Sequence, residues 1–455
     1  MTPRTFTAAL SVLALLPRLY VAIAWAREPV WDGHYYDIGA RSIAAGLGYV
    51  GTSGGAWCHY PVGYSALLGG AYRLAGNGQL VGPVLNALCG ALLAVLTYRL
   101  ARHVTTEGRA RVAGVITAFY PGLIVYAALL MTEPIAALGL VAAALVAARS
   151  RSSLKGSLVA GLLLGLGTLV RPQSILCAPA LGLFAFAGQG ELSRPLLGRA
   201  ARSAAVASLT ALLVVAPWTA RNCAVMDGCA FVSTNAGWNL AIGSFPRATG
   251  RFATLRGSDG CQVVTGQVQQ DRCWLGLGWQ WIAADPRRWL SLIPKKLGYT
   301  FDHESFAVGY LGRADPDRWT EPRKHLGRGV LSWTHRGLLS VAAFGLLRRP
   351  SLERPATLLP VALMALLVWF AATTASHPFW LVAVAIVAIA ALRWRALLTK
   401  GGPLAYSAYS LGCLVLIHAV FFGEDRYHVV VTPLLCILAA CAFGGLAQPP
   451  ASDQR

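Results

Sequence analysis

Residues Val112 to Ala148 read VAGVITAFYPGLIVYAALLMTEPIAALGLVAAALVAA, an apolar run broken in its middle by Thr132-Glu133-Pro134. A membrane-spanning helix needs about 20 apolar residues, so the run is long enough to cross a bilayer twice. An ionised glutamate at bilayer depth is expensive, which makes the break a turn rather than the centre of one span. Arg109 and Arg111 precede the run, and Arg149 and Arg151 follow it. Arg and Lys in short connectors stay on the cytoplasmic side, so the chain goes out and comes back, with Glu133 at an external tip. Three other apolar stretches repeat the pattern, broken at Arg171-Pro172-Gln173, Ser376-His377-Pro378 and Glu424-Asp425-Arg426-Tyr427-His428. The shared topology places Glu133, Arg171, His377 and Arg426 in one external layer, where a charged substrate can be held.

The composition agrees. With 455 residues, 56% hydrophobic and 13% charged, the chain belongs to the polytopic membrane class. The net charge of +20 does not point to nucleic acid, because much of it lies in short connectors: Arg149, Arg151 and Lys155; Arg194, Arg199 and Arg202; Arg348, Arg349 and Arg354; Arg393, Arg395 and Lys400. Phe6 to Ala26 ends in Ala24-Trp25-Ala26, a small-x-small pattern, but it exceeds the roughly 7–15 residues of a signal core and contains Pro17 and Arg18. It reads as an uncleaved first span. Cys89, Cys177, Cys413, Cys436 and Cys441 fall in spans as packing residues. Cys58, Cys223, Cys229, Cys261 and Cys273 fall in external loops, with no zinc-site spacing; the expected bridges are Cys223–Cys229 and Cys261–Cys273, with Cys58 free.

The expected fold is an all-α polytopic membrane protein of about twelve transmembrane helices, with surface helices in the first external loop and a small external loop domain. Residues 1–220 form an N-terminal module whose first external loop is 27–79; 221–328 is a long external loop, and 329–455 holds the C-terminal spans. Helices are expected at Phe6–Ala26, Leu80–Ala101, Ala204–Trp218 and Val330–Leu347, with hairpins at Val112–Ala148, Gly156–Ala187, Ala356–Leu392 and Pro403–Leu446. Both termini are then cytoplasmic. Tyr35 to Ala45 suits a short surface helix. In the long loop, Asp285-Pro286 is a helix start, an N-cap followed by proline in the first turn. The helix beyond it carries Trp289, Ile293 and Leu297 as apolar positions and Arg287, Arg288, Lys295 and Lys296 as charges, an interfacial pattern. Trp274, Trp279, Trp281 and Trp319 suit the headgroup level.

Each candidate residue has a chemical and a structural reading. Asp32 is either a general base at the membrane boundary or the N-cap of the surface helix. Arg171 either meets an anion in a wet cavity or snorkels to the interface. Arg426 has Glu424 and Asp425 beside it as possible ion-pair partners, and Arg221 leaves a span where interfacial arginines are common. A guanidinium suits phosphate because its planar fork engages two oxygens. Glu133 either orients an arginine or caps the helix beginning at Pro134. His377 and Arg18 read as structural. No Gly-x-x-x-x-Gly-Lys-Ser/Thr loop occurs and no soluble α/β segment exists for a nucleotide sugar, so an activated substrate would arrive through the membrane or from outside.

In order along the chain stand Asp32-Gly33-His34-Tyr35-Tyr36, Ala40-Arg41-Ser42, Gly46-Leu47-Gly48-Tyr49 and Tyr60-Pro61-Val62-Gly63-Tyr64, then Thr132-Glu133-Pro134 and Val170-Arg171-Pro172. Pro217-Trp218-Thr219-Ala220-Arg221-Asn222, Asn235 to Gly250 (NAGWNLAIGSFPRATG) and Asp425-Arg426-Tyr427-His428 with Pro433 complete the series. Together these resemble the GT-C type membrane glycosyltransferases, specifically the glycosyltransferase family 39 group with the protein O-mannosyltransferases and the lipid A aminoarabinose transferases. The resemblance implies inverting transfer of a sugar from a polyprenyl-phosphate donor to an acceptor on the external face, with Asp32 as base. The family carries a second acidic residue next to that position, where this chain has Gly33.

On this basis Arg171, Arg426 and Arg221 would bind the donor phosphate, and Glu133, Tyr35, His34 and Tyr427 would bind or orient the acceptor. The expected partners are a polyprenyl-phosphate sugar, a lipid, protein or polysaccharide acceptor, and membrane lipids of a bacterial inner membrane. No cofactor is implied with certainty; a divalent metal is compatible with the external Asp, Glu and His, which form no defined ligand set. Two alternatives remain: a lipid-linked oligosaccharide ligase or polymerase, and a transporter or flippase of a lipid-linked anion.

Overall fold

The computed structural model describes residues 1–187, 192–262, 266–348, 350–351, 353–400 and 402–442. The expected end of the last hairpin at Leu446 lies outside them. Among the described residues the chain is all-helical, with only isolated bridges at Val50–Ala56 and Arg251–Gly423.

Helix α1, Pro3–Ala24, starts on a Thr2 side chain that accepts the Thr5 N–H, with Pro3 in its first turn. Two helices, α2 (Asp32–Ala44) and α3 (Val62–Ala75), fill the first loop before α4, Val81–Ala101. The sequence reading foresaw only the first of the loop pair, and began it at Tyr35. The first hairpin comprises α5 (Glu107–Phe119), α6 (Pro121–Val125) with a 3-10 turn Tyr126–Ala128, and α7, Glu133–Ser150. Pro121 bends its outgoing arm by 50°. The bend frees the carbonyls of Thr117 and Ala118, and the buried Arg18 of α1 donates to them at 2.9 and 2.7 Å. Arg18 is thus structural, and its partners are carbonyls rather than an acid.

The second hairpin begins with α8, Leu154–Val170, and returns as the 3-10 segments Pro172–Cys177 and Pro179–Phe186. Helix α9, Arg194–Val225, runs well beyond the expected Ala204–Trp218 at both ends. The long loop then forms α10 (Ala236–Ser244), α11 (Gln267–Ala284), α12 (Pro286–Ser291), α13 (Ile293–Phe301) and α14 (Phe306–Ala314). Helix α15, Glu321–Ala343, starts earlier than the expected Val330. The chain continues through α16 (Leu358–Thr373), α17 (Trp380–Leu392), α18 (Trp394–Lys400), α19 (Gly402–Val420) and α20 (Thr432–Ala440). Among the described residues six helices are long and apolar enough to cross a membrane, seven if the bent pair at Pro121 counts as one span.

The long loop is held by its own polar chemistry. Asp285 accepts the Arg288 N–H at 2.9 Å, as an N-cap should. Asp227 takes the Val268 and Gln269 N–H groups at the start of α11, and Asp271 takes those of Gly237 and Trp238 in α10. Cys223–Cys229 and Cys261–Cys273 are bridged and Cys58 is a buried free thiol, as expected. The Thr234 N–H meets the Cys58 carbonyl at 2.9 Å, joining the long loop to the first one.

Two expectations for this loop fail. The helix after Asp285 breaks at Leu292 into α12 and α13, and Lys296 is not a surface charge. It is fully buried, and its ammonium donates to Val420 O at 2.9 Å, at the C-terminal end of α19 where carbonyls lack intrahelical partners. Trp274 and Trp319 are core residues, 1% and 4% exposed, rather than headgroup-level anchors. Packing of the loop helices onto one another outcompetes the membrane surface for these side chains.

Candidate active site

Three helix breaks and the start of α2 meet at one point. The first turn of α2 carries Asp32, but the helix has no side-chain cap, so the N-cap reading fails. The carboxylate instead accepts from the Tyr60 hydroxyl at 2.9 Å and forms a close ion pair with Arg426. Glu133, fully buried at the start of α7, likewise caps nothing; its Oε1 accepts from Arg171 at 2.7 Å and lies 3.8 Å from Arg426 Nε. Arg426 Nε is 2.6 Å from Glu424. Arg171 also donates to Thr132 at 3.1 Å, and the Gln173 amide oxygen, suitably turned, accepts two further bonds from it at 3.1 and 3.2 Å.

Aromatic rings fix both guanidinium planes. Tyr427 lies 5.1 Å from Arg171 and 5.1 Å from Arg426, so one ring carries two cations. The His418 ring stacks on it at 4.3 Å. Phe306 sits 4.7 Å from the Arg426 guanidinium, and its N–H is held at 3.0 Å by Asp425, which also binds the Ser305 N–H. Asp425 therefore positions the tip rather than pairing with Arg426.

Much of the cluster lines a cavity of about 640 Å³. Asp32, Arg171, Arg426 and Tyr427 line it together with Tyr36, His59 and Tyr60; Leu176, Ile242, Phe252 and Phe421 give it apolar walls. Charged groups and large apolar side chains in one cavity fit a charged head group attached to a hydrocarbon tail.

Burial pushes the Asp32 carboxyl up, but Arg426, the Tyr60 hydroxyl and Arg171 together outweigh it, and the net direction is below the usual carboxylate range. Burial pushes Glu424 up to about 7 despite Arg426. At neutral pH Asp32 is ionised and Glu424 is poised between its two forms.

The structure thus brings Asp32, Glu133, Arg171, Arg426 and Tyr427 together and separates the other candidates. His34 and Tyr35 are not among the residues lining the cavity, although the Tyr35 ring stacks at 5.3 Å on Tyr60; Tyr36, one turn beyond Asp32, shares its face. Arg221 donates to Trp57 O at 2.9 Å and Tyr49 O at 3.0 Å and lies over Trp218, which fastens the first loop to α9. His377 lies beside Trp333, apart from the cluster, in a left-handed conformation (φ 46°). Gly33 has a steric reason: a Cβ there would lie 2.3 Å from the Tyr310 hydroxyl, so an acidic side chain beside Asp32 requires Tyr310 to move. Asp37 is already paired with Arg41 at 2.6 Å and Tyr72 at 2.6 Å. Tyr60, His59 and His418 were not singled out in the sequence. Tyr60 alone carried a local signal, in Tyr60-Pro61.

The family model for dolichyl-phosphate-mannose-protein mannosyltransferases matches residues 59–220, less than half of the chain. The resemblance to the GT-C glycosyltransferases holds. No curated protein matches the chain. Among solved structures, the oligosaccharyltransferase of Archaeoglobus fulgidus tethered to an acceptor peptide matches at 16% identity and TM-score 0.48, over 97% of this chain and 49% of that one. The same organism's AglB with an inhibitory peptide and a dolichol-phosphate matches at 15% and 0.45, over 96% and 50%. ArnT from Cupriavidus metallidurans, bound to undecaprenyl phosphate, matches at 15% and 0.43, over 96% and 78%. The chain spans about half the length of the oligosaccharyltransferases it matches.

Proposed function

We propose that this chain is a membrane glycosyltransferase that moves a sugar from a polyprenyl-monophosphate carrier to an acceptor at the external face, with inversion. The observation that carries the reading is a carboxylate and two arginines lining one cavity whose walls also carry several large apolar side chains. The family model's description, which names a dolichyl-phosphate sugar, supports a monophosphate donor.

In the proposed step the acceptor O–H or N–H attacks the anomeric carbon as the sugar–phosphate bond breaks. The acceptor proton passes to Asp32, and the electron pair leaves on a phosphate oxygen beside Arg171 and Arg426. A phosphate drawing Arg426 away from Asp32 would also raise the basicity of that carboxylate, so donor binding would prepare the base. Tyr60 would hold Asp32 in orientation through its 2.9 Å hydrogen bond. Glu133 acts on Arg171 rather than on substrate.

The membrane topology belongs to the same proposal: about twelve passes, with the breaks at Glu133, Arg171 and Arg426 external, in a bacterial inner membrane. The division into 1–220, 221–328 and 329–455 follows from it. Asp32→Asn is the direct test: donor binding persists and transfer falls by about 10²–10⁴-fold. Undiminished transfer would remove the assigned base, whereas absence of any product from the wild type with lipid-linked sugar and acceptors would favour a transporter.

A further inference from the structure

Away from the cavity, Glu304, His335 and His428 meet in a compact group with 0–1% exposure. One donor atom from each lies within 4.8 Å of the others. The segments are unrelated in sequence: the link between α13 and α14, the middle of α15, and the last tip.

The hydrogen bonds define which atoms are free. His428 Nδ1 is 2.8 Å from Thr300 O, and His335 Nε2 is 2.9 Å from Phe301 O. A carbonyl only accepts, so each of these nitrogens carries the proton. In the neutral rings the opposite nitrogens, His428 Nε2 and His335 Nδ1, are then bare lone pairs. His428 Nε2 faces Glu304 Oε2 at 3.1 Å, while Oε2 already accepts from the Tyr120 hydroxyl at 2.6 Å. His335 Nδ1 and Glu304 Oε1 are buried and have no hydrogen-bond partner. A proton on His428 Nε2 would satisfy that contact alone and leave the other two atoms unpaired, each at about 1–3 kcal/mol. A cation satisfies all three.

We infer that Glu304, His335 and His428 form a binding site for a divalent transition-metal ion of the zinc type. Two imidazoles and a carboxylate suit that chemistry. The carbonyls of Thr300 and Phe301 supply the outer contacts that fix imidazole tautomers at metal sites. Zinc bonds of about 2.1 Å place tetrahedral donors about 3.4 Å apart, so on binding the group draws in and the His335 and His428 rings, stacked at 3.7 Å and 23°, tilt apart until their lone pairs converge. Gly122 leaves room for this carboxylate, since a Cβ there would lie 1.9 Å from Glu304 Oε1. The ion would be a clamp rather than a catalyst. It ties His428, two residues beyond Arg426, to Glu304, whose neighbours Ser305 and Phe306 are held by Asp425.

The test is elemental analysis of the full chain, purified in detergent without chelator and without a polyhistidine tag, after growth with zinc. Wild type carries about one transition-metal ion per chain, and His335→Asn and Glu304→Gln lose it while eluting as monodisperse protein. X-ray absorption at the metal edge of the wild type shows two imidazole ligands, which keeps the test decisive should the variants not fold. Wild type without stoichiometric metal, and without a rise in Tm on adding zinc chloride, overturns the inference. Full metal content in both variants, or a spectrum lacking imidazole, does the same.

Discussion

Arg426 lies against Asp32, Glu424 and, more distantly, Glu133, and each carboxylate competes for the guanidinium that a donor phosphate would need. Glu424 is the natural one to yield, because burial holds its carboxyl near 7. Below that pH it is protonated and releases Arg426 Nε; above it the carboxylate competes with phosphate. Asp32, shifted below the usual range, remains ionised throughout. Donor affinity is therefore expected to weaken as pH rises through about 7, and Glu424→Gln to flatten that dependence, read from KM for the lipid donor between pH 6 and 8. An unchanged slope in the variant would assign the dependence elsewhere. Arg171 poses a different problem, since its partner Glu133 has no access to water. Arg171→Met is expected to cost about 3 kcal/mol of stability by leaving the buried Glu133 with only its longer contact to Arg426. Adding Glu133→Gln should recover most of that in thermal unfolding, with transfer still depressed about 10²-fold. Recovery of both would make Arg171 purely structural.

At the scale of elements, Lys296 joins α13 to the end of α19. Burial, with Arg288 nearby, lowers its ammonium to about 7, so the bond to Val420 O has its charge-assisted form in the lower part of the physiological range. Lys296→Ala is expected to lower stability by about 1–3 kcal/mol, seen as a lower Tm in detergent, whereas a change at the exposed Arg287 should have little effect. The sequence exposed some of this architecture and hid the rest for identifiable reasons. Asp285-Pro286 announces α12 because a cap and a proline are local signals. Helix α3, with Gly63, Gly69 and Gly70, and α11, with Gly276 and Gly278 among its tryptophans, show no clean apolar stripe, since their burial depends on neighbouring loop helices. Likewise Asp32, Glu133, Arg171 and Arg426 stood out as charges beside helix breaks. Tyr60 entered only as the first residue of the Tyr60-to-Tyr64 motif, His418 lies inside an apolar run with no motif around it, and Glu304, His335 and His428 share no spacing at all.

For the whole molecule, the decisive feature is that residues as far apart as Asp32 and Arg426 close one pocket while the loops cap it. Helix ends supply the charges, and apolar residues from the spans and long loop supply the walls. Under the proposed function such a chamber would take a lipid's head group from the side of the bilayer, which a soluble nucleotide sugar would not require. Binding and turnover are separable in Asp32→Asn, because the arginines remain and the base does not. Lipid mass spectrometry of that variant, purified from its native membrane, therefore tests the central claim most directly. A polyprenyl-monophosphate sugar enriched over wild type is the predicted result; bulk phospholipid alone, or a diphosphate-linked glycan in its place, would contradict it.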